Sequence, residues 1–153
     1  MTPGADERHD LIVASLLRSL EDHLVPTYRV YSREMSVGTA EPTRSFNPDA
    51  TIACGRTELD DDVLNPLVIF EVLSDSTEHE DRSQKFHAYL RIESLRHYVL
   101  IWDDEYVAEQ FRRDGDQWFY SNAKGLDSIL PLPAANCELP LREIYRQVLE
   151  SPS

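Results

Sequence analysis

The segment Leu67-Val68-Ile69-Phe70-Glu71-Val72-Leu73 is apolar at every position but one, and it is bounded by Pro66 on one side and Ser74-Asp75-Ser76 on the other. A short run without the alternation of a half-solvated strand predicts a β-strand covered on both faces. Such a strand needs a layer of other elements on each side of its sheet, which points to a layered α/β fold. The exception inside the run, Glu71, carries the most information about function. An ionised carboxylate in an apolar strand is costly unless a cation or several donors satisfy it. A structural ion pair, or a pleat that turns the side chain to solvent, would account for it without any function.

The rest of the chain supplies the layers. Ile12, Val13, Leu16, Leu17, Leu20 and Leu24 recur at three- and four-residue steps, predicting a helix from Asp6 to Leu24 with Asp6 as N-cap and Pro26 as stop. His9 falls on the same face, about one turn ahead of Ile12, at the rim of the core. Arg29 to Val37 reads as an outer strand and Thr39 to Asn47 as a loop. A short strand then runs from Asp49 to Cys54, ended by Gly55, and an acidic loop from Glu58 to Pro66 follows. Thr77 and Glu80 have the spacing of a capping box, so a helix is expected from Glu78 to Arg91 with Phe86, Tyr89 and Leu90 facing the core. His97 to Trp102 is another buried strand. Asp114-Gly115 marks a hairpin between Glu105–Arg113 and Gln117–Tyr120, and Leu139-Pro140-Leu141 opens a terminal helix through Ile144, Tyr145 and Val148. The resulting order is αβββαβ with an added antiparallel hairpin and C-terminal helix: an α/β fold with a mixed sheet, expected to occupy 1–153 as one domain.

Composition narrows the function classes. No apolar stretch approaches the ~20 residues needed to span a bilayer, and the first residues lack a signal-like pattern, so a soluble, cytoplasmic protein without membrane partners is expected. The two cysteines, Cys54 and Cys137, are too few for a disulfide framework and read as reduced core residues. Ser74 and Ser76 lack the elbow of a serine hydrolase, and the five glycines form no nucleotide-binding loop. The net charge of -13 disfavours non-specific nucleic-acid binding, although a local basic stripe or a bound cation can offset it.

Asp49 gives Glu71 a possible companion: an acid at the mouth of one strand and an acid within the next can share a site if the strands are neighbours. Two convergent carboxylates suit Mg²⁺ or Mn²⁺. Lys85 lies in the helix leaving the Glu71 strand and could reach back over the strand end, or pair with Asp81 one helical turn away.

FNPDATIACG and NPLVIFEVLSDSTEHEDRSQKFHAYLRIESLRHYVLI together resemble the bacterial Uma-type restriction-endonuclease family, a branch of the PD-(D/E)XK nuclease superfamily. The similar parts are Pro48-Asp49, Glu71 to Ser74, Ser76-Thr77, Asp81 with Lys85, Tyr89, and Leu95 to Ile101. The resemblance implies metal-dependent hydrolysis of DNA phosphodiesters, with Asp49, Glu71 and the Val72 carbonyl as metal ligands. Leu73 stands where the superfamily pattern has its lysine, and the resemblance moves that role to Lys85. His9 corresponds to a histidine of the family's first helix and joins the catalytic candidates, with a half-buried core histidine as the local alternative. Two other readings remain open: a silent binding or assembly domain of the same fold, and a metal-dependent hydrolase of a small phosphorylated molecule. Trp118 and Tyr120, if exposed, would suit a homodimer.

Overall fold

The structure, a computed structural model, describes residues 4–40, 43–54, 62–63, 65–74 and 85–151. The first element, α1 (Ala5–His23), is capped by Gly4, two residues ahead of the expected Asp6. Its apolar stripe works as predicted, since Ile12, Leu16 and Leu20 are fully buried. Beyond it, Leu24 N–H closes the last turn on the Leu20 carbonyl, and the chain turns at Pro26.

The main sheet contains β1 (Tyr28–Ser32), β4 (Ala50–Cys54), β6 (Pro66–Leu73), β7 (His97–Trp102), β8 (Val107–Asp114) and β9 (Gln117–Lys124), side by side in that order. The β6–β7 pair is parallel and the other pairs are antiparallel, so the sheet is mixed as expected. β6 lies inside the sheet and is buried at every residue except the half-buried Leu67. Alternation along β6 divides its side chains between two cores. Val68, Phe70 and Val72 pack with Ile12, Leu16 and Leu20 of α1. Ile69 and Leu73 face the other way, with Tyr89, Leu95, Tyr98 and Leu100. Each fully buried aliphatic or aromatic side chain contributes about 1.5–3 kcal/mol, so a charge at Glu71 displaces a comparable apolar contribution.

The connection from β6 to the parallel β7 carries α2 (Phe86–Leu90), which buries Ala88 and Tyr89 against the second core. It is the described part of the helix expected from Glu78 to Arg91; the Thr77–Glu80 cap and Asp81 lie outside the described residues. The hairpin is where Asp114-Gly115 put it. Gly115 has φ 63, and Asp114 pairs with Gln117 across the turn. β9 forms the sheet edge, where Tyr120 is exposed while Trp118 is half-buried, with the Arg113 guanidinium 4.6 Å from its ring centroid.

Several expectations are corrected. The stretch from Arg29 to Val37 is two strands, because the chain turns at residues 33–35 and β2 (Ser36–Ala40) enters a different sheet. There it pairs with β3 (Thr43–Phe46) and β5 (Asp62–Val63), so neither Thr39–Asn47 nor Glu58–Pro66 is wholly loop. These strands are short and carry few apolar residues, with Val37 and Phe46 packed on the second core, so they leave little hydrophobic signature. Leu139 and Pro140 belong to β11 (Cys137–Pro140), paired with β10 (Ile129–Leu132), and not to a helix. The terminal helix is broken into α3 (Leu141–Ile144) and α4 (Arg146–Glu150). Cys54 is exposed at the end of β4, contrary to the core reading, whereas Cys137 is buried. Among the described residues no helix is long and apolar enough to cross a membrane.

Candidate active site at the end of strands four and six

β4 and β6 run antiparallel, with Ala50 opposite Phe70. One further step along the same register brings Asp49, the residue before β4, level with Glu71. Both acids are taken out of water, with Asp49 6% and Glu71 3% exposed. Their surroundings differ. Asp49 Oδ2 accepts the Val72 backbone N–H at 2.8 Å, standing in for the carbonyl that a longer β4 would present. The same oxygen meets His9 Nε2 of α1 at 3.3 Å. Asp49 Oδ1 has no hydrogen bond among the described residues.

The Glu71 side chain leaves β6 on the α2 side. Its Oε1 accepts the Tyr89 hydroxyl at 3.1 Å and lies 3.6 Å from Lys85 Nζ, a side chain about one quarter exposed. Lys85 therefore reaches back over the strand end as the sequence suggested. Glu71 is neither an acid turned to solvent nor an isolated charge, and the buried strand tolerates it because a cation and a hydroxyl meet it.

The contacts arrange the candidates as two pairs, His9 with Asp49 and Lys85 with Glu71, linked through β6 by the hydrogen bond from Val72 to Asp49. His9 is not an inert core residue. Its hydrogen bond to Asp49 raises its pKa to about 9 against the opposing effect of burial, with further upward contributions from the Asp49 and Asp10 charges. The imidazolium donates Nε2–H to Asp49 and places a positive charge at the site near neutral pH.

In the sequence Tyr89 reads as a core-facing residue and as one of the positions shared with the family, without a role at the site. Its ring does pack against Phe46 and Tyr98, at 5.2 and 5.3 Å between centroids, but its hydroxyl serves Glu71. The available signal was a tyrosine where a phenylalanine would fill the same core, since a buried hydroxyl needs a partner.

Among the described residues, no three side chains of the histidine, cysteine, aspartate or glutamate types gather as a ready metal cluster. The local donors are the two carboxylates and the backbone of Val72. In a strand, the N–H and C=O of one residue point to the same neighbour, so the Val72 carbonyl faces the Asp49 side, beyond the start of β4. This all-oxygen set fits a hard divalent cation and lacks the thiolates or paired imidazoles of a zinc site.

The family model described as "Uma2: Putative restriction endonuclease" matches residues 1–142. An uncharacterised protein from Synechocystis sp. is 31% identical over 128 residues, covering 80% of this chain and 72% of that protein. The fold is similar to the crystal structure of a "putative nuclease belonging to DUF820" from Anabaena variabilis. The TM-score is 0.76 at 17% identity, with 97% of this chain and 86% of that chain covered.

Proposed function

The chain belongs to the Uma2 family, and from that premise we propose that it is a metal-dependent endonuclease hydrolysing phosphodiester bonds in DNA. The observation that supports this most directly is the placement of two buried carboxylates at one level of adjacent strands, with an ammonium group 3.6 Å from one of them. A purely structural ion pair at Glu71 would not call for a second buried acid beside it.

In this reading Asp49, Glu71 and the Val72 carbonyl hold Mg²⁺ or Mn²⁺. When bound, such an ion lowers the pKa of its water and polarises the phosphoryl oxygens. The protein's side chains supply position and charge. The Val72 N–H and His9 hold Asp49 Oδ2, leaving Oδ1 for the cation, so His9 acts as a positioning residue. The Tyr89 hydroxyl steadies Glu71 from the α2 side. The Lys85 ammonium, on the same side, offsets the negative charge that grows on the phosphoryl oxygens as the water oxygen bonds to phosphorus and the ester oxygen departs. With a net charge of -13, this chain needs local positive charge where a phosphate approaches, and Lys85 and protonated His9 provide it.

Purified protein incubated with single-stranded, duplex and branched DNA in Mg²⁺ or Mn²⁺ should produce metal-dependent cleavage that Glu71→Ala abolishes. Wild-type cleavage no greater than that of Glu71→Ala on every substrate would refute the nuclease reading.

A further inference from the structure

Thr51 is the second residue of β4, 1% exposed, and its hydroxyl oxygen is buried without a hydrogen-bond partner among the described residues. A buried hydroxyl that gives up water and gains nothing in return destabilises a fold, and such groups in native structures call for an explanation. Valine has nearly the same shape and strong strand preference, so β4 has no need of threonine for packing.

The position of Thr51 suggests an explanation. Across β4–β6 it faces Ile69, and across β1–β4 it faces Tyr31. Ala50 and Ile52 belong to the α1 core, so alternation sends the Thr51 side chain to the opposite face, the face of Ile69 and α2. Glu71 is the next β6 residue on that face after Ile69. Thr51 and Glu71 are therefore diagonal cross-strand neighbours, typically about 7–8 Å apart and somewhat closer between Cβ atoms. That separation leaves room for one bridging water between the hydroxyl and the surroundings of the carboxylate.

We propose that Thr51 Oγ1 accepts a hydrogen bond from a water of the bound cation's hydration shell, holding that water beside Glu71 and strengthening metal binding without ligating the metal itself. Mg²⁺ and similar hard cations retain several waters, and a cation-bound water is a strong donor in need of a fixed acceptor. Thr51 is then a positioning residue whose hydroxyl trades stability of the metal-free protein for affinity. The inference rests on the reading of Asp49 and Glu71 as a metal site.

The test compares wild type, Thr51→Val and Thr51→Ser as full-length proteins. Thermal melting is measured in EDTA, and Mn²⁺ affinity is measured from the loss of the free-ion electron paramagnetic resonance signal. Thr51→Val is expected to melt higher than wild type in EDTA yet bind Mn²⁺ about tenfold or more weakly, the usual scale for losing an outer-shell partner. Thr51→Ser should keep wild-type affinity. Equal Mn²⁺ affinity in wild type and Thr51→Val would overturn the inference alone and leave the metal site standing. A Thr51→Val protein that melts lower in EDTA, or does not fold, would also overturn it, since the hydroxyl would then already serve the metal-free fold. Wild type that binds no Mn²⁺ would overturn the metal-site reading and this inference together.

Discussion

Replacing Lys85 with methionine removes the cation beside Glu71 while keeping most of the side chain's apolar volume. At 3.6 Å the charge attraction is about 5 kcal/mol at an effective dielectric constant of 20 and about 1 kcal/mol in bulk water. Those are gross values, offset by the desolvation of both groups. Glu71 is almost wholly buried whereas Lys85 is about one quarter exposed, so the net loss falls between an exposed pair and a fully buried one, near 2 kcal/mol. For a chain of this size that lowers Tm by roughly 4–8 °C. The Tyr89 hydroxyl remains as a donor to Glu71 and limits the damage. Melting should be followed by circular dichroism in EDTA and again in excess Mn²⁺. The deficit should shrink with Mn²⁺, because a bound divalent cation compensates the same carboxylate. Turnover should still fall by about 10²-fold, since the metal cannot replace a positioned donor on the phosphate. Lys85→Met combined with Glu71→Gln should melt higher than the sum of the single effects predicts, because the second change removes the charge whose ammonium partner the first took away. The reasoning fails if Lys85→Met melts with wild type in EDTA and cleaves at the wild-type rate. Lys85 would then leave the proposed catalytic set.

Two further predictions probe the groups around this pair. Mn²⁺ at about 100 times its Kd should stabilise wild type by about 2.7 kcal/mol and Asp49→Ala far less; equal stabilisation would place the ion elsewhere. The half-buried His9 and the buried His97 should act on metal-free stability with opposite signs. The folded pKa of His9 is raised to about 9, so its contribution is complete below pH 6.5 and is lost as pH rises through about 9. His97 has its pKa lowered, chiefly by burial, and its ring pairs with Gln110 Oε1 through Nδ1 while Nε2 accepts the Ala134 N–H, so its neutral form is the stabilising one. Its contribution is present above pH 6.5 and is lost as pH falls below that value. Imidazole NMR titrations should show the two residues protonating on opposite sides of 6.5, and a shared ordinary value would refute both assignments.

Much of the central architecture was legible because burial imposes a pattern on the chain. β6 announced itself as an apolar run broken only by Glu71, α1 as a stripe of period 3.6, and β7 as a second apolar run, all bounded by residues that stop them. The hairpin was readable for a local reason, since Gly115 adopts a positive φ that few other residues tolerate. The small sheet of β2, β3 and β5 was not readable in this way. Its strands are short and mostly polar, and apart from Val37 and Phe46, which pack on the second core, they offer little hydrophobic pattern to read. The β10–β11 pair was lost to a different ambiguity, because leucine and proline at the end of β11 look equally like the opening of a helix.

The site divides along the same line. That Glu71 needed a partner followed from the chain alone, because a carboxylate in an apolar strand is costly wherever that strand ends up. Asp49 and Lys85 could be named as candidates from their order along the chain and from resemblance to a family. Which groups meet was decided by tertiary structure. The register of β4 on β6 brings Asp49 level with Glu71, the packing of α1 on one face delivers His9 to Asp49, and the packing of α2 on the other delivers Lys85 and Tyr89 to Glu71. The orphaned hydroxyl of Thr51 belongs wholly to this second category. In sequence, threonine is an ordinary strand residue, and only the layers closing over β4 on both sides turn it into a buried group without a partner among the described residues. Local chemistry is written residue by residue, whereas convergence depends on strand register and layer packing, which arise from contacts between segments far apart in the chain.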